Sequence, residues 1–272
     1  MHPVSVPVFL LIYGFKKNKM KKIIFVSLVT CLCSNVFAQN KKTTIAPASG
    51  NTHLKVFKQA VSSGDIYTSI TALSYYVNDQ GANSVYEDTL AMLYMQQGSY
   101  VQCFYWADKR LKVKPDDLVL LELKGISLDK LQQPKEAITV FEKLYAKTKS
   151  PYHAYQLMEL QYSIKRLAEC LSTANSTERL EFKPEYTVTY NVGEQMGRTY
   201  LRAGIYNIQG LTLYDLDKKT EAKMYFEKAL ALDSNFVLAR QNLEALKSIE
   251  SGTNKLNGGG NNNPTSPAKK QD

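Results

Sequence analysis

Residues 125–144, GISLDKLQQPKEAITVFEKL, hold two apolar stripes separated by Gln132, Gln133 and Pro134. Leu121, Ile126, Leu128 and Leu131 recur at helical spacing. After Pro134, a residue accepted in the first turn of a helix but not in its interior, Ala137, Ile138, Phe141 and Leu144 resume that spacing. The stretch predicts two amphipathic helices joined by a tight turn. Gly125 and Ala137 are the smallest apolar residues on the two stripes, so bulk is missing where the helices approach most closely. The glycine is expected to serve contact, not a kink.

The pattern recurs along the chain. Thirty-four residues earlier, Ala91, Tyr94, Cys103 and Ala107 stand at the places of Gly125, Leu128, Ala137 and Phe141; a further 34 back, Ser69 stands for Cys103 and Gly64 for Gly98. A fixed period of 34 with small residues in register marks an array of repeats. Residues 210–236, GLTLYDLDKKTEAKMYFEKALALDSNF, carry the fullest copy, with Gly210, Leu213, Ala222, Phe226 and Ala229 in place; Ser234 stands where Pro115 stands in an earlier copy. In this register the sequence resembles the tetratricopeptide repeat family over about residues 50–250.

That resemblance implies an all-α fold, a right-handed superhelix of stacked antiparallel helix pairs. The pairs are expected near 51–62/65–79, 84–97/99–113, 117–132/134–147, 151–164/166–174 and 203–216/218–232. Each pair alone leaves an apolar face uncovered, so stacking makes the core and the ends need polar caps. A capping helix over 236–249 fits, with Leu238, Leu243 and Leu246 inward and Arg240, Glu244 and Lys247 outward. Two departures stand out. Cys170 lies 67 residues beyond Cys103, which a one-residue trim after Tyr162 would explain, and Cys170 to Ala222 spans 52, one repeat plus 18. The excess forms an insertion over about 176–202. There Tyr186, Val188 and Tyr190 alternate with Thr187 and Thr189 ahead of Gly193, which predicts a β-hairpin-like element near 185–201. It serves either as an edge covering a gap between repeats or as a docking element.

The termini differ in character from the repeats. The net charge is +9, but Lys16, Lys17, Lys19, Lys21 and Lys22 crowd the N-terminus. They precede the apolar run IIFVSLVTCLC, and small residues close it at Ala38, the layout of a secretory signal peptide over residues 1–38 with Met20 as a plausible start. The run is too short to span a membrane, which takes about 20 apolar residues. Cleavage after Ala38 would leave a net charge of +4 and a linker over 39–50. No stripe of basic residues interleaved with aromatics accompanies that modest charge, so nucleic acid is not an expected partner. A lipid anchor at Cys31 is the alternative to cleavage at Ala38, although Thr30 fits poorly before a lipidated cysteine. Residues 251–272, rich in Gly, Asn and Pro, are expected to be disordered.

Catalytic signatures are missing from the sequence. No HExxH, GxSxG, Walker or dinucleotide glycine pattern is present. His53 and His153 have no metal-ligand spacing to cysteine or carboxylate, so no metal or cofactor is expected. Asp116 and Asp117, after Pro115, suit the positive end of a helix. The tyrosines are numerous, 18 in all, and Tyr67, Tyr75, Tyr76, Tyr94, Tyr100 and Tyr105, with Trp106, are expected mostly in packing roles. Cys103 and Cys170 fall at the small position of second helices two repeats apart, too far to bridge, and are expected to be free.

What the resemblance implies for function is a partner-binding concave surface lined by the first helix of each pair. Its positions here are Asp88, Met92 and Met95, then Glu122, Ile126 and Asp129, then Gln156, Leu160 and Ser163. Asp88 and Met92 stand where one branch of the family places residues that clamp a C-terminal carboxylate, so a chaperone-tail receptor is not expected. The expected function is a non-catalytic exported scaffold binding a protein or peptide, periplasmic or associated with an outer membrane. The alternative is an enzyme-associated subunit or degenerate hydrolase whose repeats position a catalytic partner. N-terminal sequencing of the exported protein is expected to begin at Gln39; a start at Cys31 with bound lipid, or an intact residue 1–38 segment, would refute the signal-peptide assignment.

Overall fold

The computed structural model describes residues 50–81 and 84–257, so the leader and the C-terminal tail lie outside the described residues. The described residues form two compact units that meet between Ser99 and Tyr100. The first contains α1 (Gly50–Ser62), α2 (Ile66–Gln80) and α3 (Glu87–Gln97). The second contains α4 (Tyr100–Leu111), α5 (Leu118–Lys130), α6 (Pro134–Thr148), α7 (Pro151–Ser163) and α8 (Leu167–Ser176), then β1 (Thr187–Val192), β2 (Gln195–Tyr200), α9 (Leu201–Asp215), α10 (Lys219–Leu232) and α11 (Val237–Asn257). Among the described residues no helix is long and apolar enough to cross a membrane.

One turn geometry joins the two helices of every pair. Gly64, Gly98, Gln132, Lys165 and Asp217 all take positive φ, between 58° and 78°. The next N–H in each case reaches back five residues: Asp65 to Ala60, Ser99 to Tyr94, Gln133 to Leu128, Arg166 to Gln161 and Lys218 to Leu213, all at 2.8–2.9 Å. This is the Schellman closure, which satisfies carbonyls that a helix end would leave open. In three of the five turns a non-glycine residue bears the left-handed conformation, so the repeat can lose its turn glycine and keep its turn.

Side-chain size is matched across the last three pairs. A Cβ on Gly125 would lie 2.8 Å from Phe141 Cε2, and one on Gly210 would lie 2.5 Å from Phe226 Cε1. Both rings are essentially solvent-free. In the α7–α8 pair the sizes exchange: Met158 holds the glycine's place and Ala174 the ring's, both fully buried in one cluster. The free thiols fill the small positions as expected, Cys103 near the Leu123 carbonyl (4.0 Å) and Cys170 against the Met158 carbonyl (3.5 Å) and Thr212 Oγ1 (3.3 Å).

The hairpin closes through Gly193 and Glu194, of which only Gly193 has positive φ (59°), the type II′ arrangement. Its inner face runs along the N-terminal ends of α7, α9 and α11. Val188 packs into the α7–α9 cluster and lies over Gly204, while Tyr152 Oη receives the Thr187 N–H at 3.2 Å. Further along, Tyr190 lies over its cross-strand partner Gly197, packs on Phe236 at 4.9 Å between ring centroids and accepts the Val237 N–H at 3.3 Å. Thr199 donates to Asp233 at 2.7 Å. One face of the inserted hairpin therefore covers the edge that three first helices share.

Alanine in an open helix is about 1 kcal/mol better than glycine. Gly125→Ala is nevertheless expected to cost about 1–2 kcal/mol by overpacking, and Phe141→Ala about 3–5 kcal/mol by leaving a cavity. Urea unfolding would check both; a Gly125→Ala chain as stable as the parent would mean that the ring does not press on this backbone.

Candidate functional site

The face shared by α5 and α7 gathers three carboxylates of the second unit. Asp117 starts α5, its Oδ1 accepting from the Val119 and Leu120 N–H groups at 3.1 Å each. From that start Glu122, Ile126 and Asp129 recur on one face, all half-buried. Ile126 packs against the core cluster built on Phe141, and Asp129 is paired with Lys130 at 3.2 Å. Asp88, Met92 and Met95 lie on α3 in the first unit, each half-buried.

The positions predicted on α7 require correction. The left-handed turn residues Gly98 and Gln132 are 34 apart, but Gln132 and Lys165 are 33 apart, as are the helix starts at Asp117 and Ser150. The missing residue therefore falls in the turn between α6 and α7, not after Tyr162. The whole of α7 shifts by one, and Tyr155, Glu159 and Tyr162 take the positions assigned to Gln156, Leu160 and Ser163. Leu160, at 5% exposure, belongs to the core with Leu121 and Leu157. Gln156 stays beside the face and donates to Glu159 Oε2 at 3.4 Å. The signal that locates the trim is Ser150-Pro151, an N-cap residue followed by proline at the first helical position.

Two groups on this face have perturbed acidity. Burial raises the Glu122 carboxyl above its ordinary 4.5. Glu159 is pushed up to about 7, chiefly by burial; the Tyr155 hydroxyl opposes the shift, Asp129 adds to it and Lys130 opposes it. Glu159 is exposed, and the water that reaches it weakens the penalty, which leaves an upward shift smaller than full burial would give. At the end of the face, Lys165 Nζ sits 4.6 Å above the Tyr162 ring and 2.7 Å from Asp215. Three carboxylates, the Tyr162 hydroxyl and an aliphatic side chain thus share one surface above the buried Tyr155, with no nucleophile poised against a base. Among the described residues no group of three or more His, Cys, Asp or Glu is placed to hold a metal ion.

The histidines have local partners. His153 Nδ1 meets Thr148 Oγ1 at 2.7 Å, and burial lowers its pKa below 6.5. His53 stacks on Tyr75 at 5.3 Å and approaches Asp79 at 3.7 Å. The tyrosine expectation is corrected in part, since Tyr67, Tyr75 and Tyr105 are 69%, 57% and 58% exposed. The register places them on the outer face of second helices, where no neighbouring helix reaches.

With this geometry in place, likeness to known proteins can be assigned to segments. Residues 203–236, which span α9 and α10, match the family model of the tetratricopeptide repeat. A TPR repeat-containing protein of Methanocaldococcus jannaschii is 39% identical over 56 residues, 20% of this chain and 17% of that relative's length. Among solved structures, YrrB, described as a TPR protein with an unusual peptide-binding site, superposes with a TM-score of 0.56 at 16% identity, covering 70% of this chain and 89% of YrrB. MamA from Desulfovibrio magneticus RS-1 does so with a TM-score of 0.54 at 16% identity, over 69% and 96%. The likeness at these identities is one of fold: stacked helix pairs of the TPR kind.

The two pKa shifts act in opposite directions on stability. Glu159 has a folded-state pKa above 4.5, so its contribution is full at low pH and is lost as pH rises from 4.5 toward about 7; that of His153 is full above 6.5 and is lost on acidification. Carboxyl NMR titration is expected to place the Glu159 midpoint well above 4.5, with Asp129→Asn lowering it and Lys130→Gln raising it. A midpoint near 4.5 in the parent would contradict the enclosed setting.

Proposed function

We propose that this chain is an exported, non-catalytic scaffold that binds a protein or peptide segment across α5 and α7, the segment presenting a basic residue beside apolar ones. The observation that carries the reading is the Glu122–Asp129–Glu159 face with Tyr155, Tyr162 and Ile126 around it. Carboxyls held above their ordinary pKa are poorly solvated as anions, and a cation set among them recovers part of that loss. The half-buried Tyr162 ring beside them offers area to the apolar neighbours of that cation. The fold supports the same reading, since helix-pair arrays expose extended surfaces suited to partners, and the peptide-binding site named for YrrB is a precedent on this fold. Export rests on the basic, apolar and small-residue order of residues 16–38.

Panning a random peptide library against the full chain is expected to yield a consensus with Lys or Arg next to an aromatic or aliphatic residue. Glu159→Lys should abolish that binding with helical content unchanged. A consensus without basic residues, or binding indifferent to Glu159→Lys, would overturn the assignment of the face.

A further inference from the structure

In the second unit a trough of about 280 Å³ lies over α7, walled by Tyr145 and Lys149 of α6 on one side and Ser172 and Thr173 of α8 on the other. The first unit has its counterpart, about 360 Å³, lined by His53, Val56, Thr68, Thr71 and Ala72 with Tyr67 and Tyr75. Two periods of 34 and one of 33 carry Val56 onto Leu157, Thr68 onto Glu169, Thr71 onto Ser172 and Ala72 onto Thr173. The two troughs are the same place in the repeat. They differ in one wall, because α6 covers the second and every lining residue of the first comes from α1 and α2.

The consequence appears in exposure. Leu157 is 3% exposed while its equivalent Val56 is 41% exposed; likewise Leu121 and Ala154 are 5% and 0% exposed, at the position of His53. The α1 positions of His53 and Val56, buried in later repeats, are open here beside Tyr67 and Tyr75 of α2; the place of Tyr67 is exposed one repeat later as well, at Val101.

We propose that a second copy of this chain covers this face, α1 and α2 of one protomer packing on α1 and α2 of its partner about a two-fold axis. The trough is lined by no Lys, Arg, Asp or Glu, so apposing it with itself brings no like charges together. Residues 39–49, which lead into α1, offer one large apolar residue, Ile45, and a proline at 47, a poor substitute for the Phe141, Leu144 and Tyr145 that α6 lays on its neighbour. Nor does α11 suit a head-to-tail stack, since its outward Arg240, Glu244 and Lys247 would put charges on an uncharged trough.

Sedimentation equilibrium of the full chain between about 1 and 100 µM should show a dimer. Val56→Arg and, separately, Tyr67→Arg should each weaken it roughly 100-fold by burying like charges across the two-fold, with helical circular dichroism retained. Val101→Arg, at the equivalent of Tyr67 one repeat later, should leave it unchanged. Tyr67 is exposed enough to carry the test by itself if Val56→Arg fails to fold. A monomer throughout that range, a dimer indifferent to both substitutions, or one weakened equally by Val101→Arg would overturn the proposal. Hydrogen exchange showing that residues before α1 protect Val56 in a monomer would overturn it in favour of the chain's own leader.

Discussion

An aromatic ring set against a bare stretch of helix backbone governs the spacing of the α5–α6 and α9–α10 pairs. Where Phe141 meets Gly125 and Phe226 meets Gly210, the ring occupies the volume that any side chain on the first helix would need. That single contact fixes both the distance between the helices and the register of one along the other, because the ring fits only opposite the gap. The α7–α8 pair reaches the same end with Met158 opposite Ala174. Across these three pairs the summed volume at the contact is kept and the helix that supplies it changes, whereas Ala91 and Ala107, at the same places one repeat earlier, are both small.

Once the pair is fixed, its turn and its neighbours follow from unsatisfied groups. The Schellman turns close the carbonyl ends of the first helices, and the left-handed residue each requires sits at the same place in every pair. Buried polar side chains are then matched between elements: Thr173 donates to Gln161 at 2.9 Å, Gln209 to Asn175 at 3.1 Å and Asn242 to Asn207 at 2.9 Å. Each such pair is neutral when made and costs about 1–3 kcal/mol when broken by removing one side. They discourage slippage between helices whose apolar contacts alone would tolerate it.

The fold was legible in the sequence because these contacts depend on residue size at a fixed period. Gly125, Ala137, Gly210 and Ala222 announce themselves by being small where neighbours are large. The hairpin was legible for a similar reason, since Tyr186, Val188 and Tyr190 alternate and Gly193 follows. The inner face of α7 was misplaced by one residue because a trim in the α6–α7 turn leaves no mark on helical periodicity; Leu160 looks as suitable as Glu159 until the turn residues are counted. The exposed tyrosines were obscure for another reason. Tyr67 and Tyr75 have the composition of core residues, but they fall on the outward side of α2, the side that stays exposed one repeat later at Val101 and Tyr105.

Glu122 and Glu159 share helices with core residues, and that proximity has an energetic consequence. Residues on α5 and α7 alternate between Leu121, Leu128, Leu157 and Met158, which stabilise the stack, and carboxyls that the same stack deprives of water. Ile126 belongs partly to both sets, since it is half-exposed on the face and packed on the Phe141 cluster. A neutral glutamine at the half-buried position 122 would remove the desolvation penalty there and leave the helix pairs intact. The arrival of a cation would relieve that penalty, because the poorer the solvation of the free anion, the larger the gain on pairing. The strain on this face and its capacity to attract a basic group are then two expressions of the same enclosed setting.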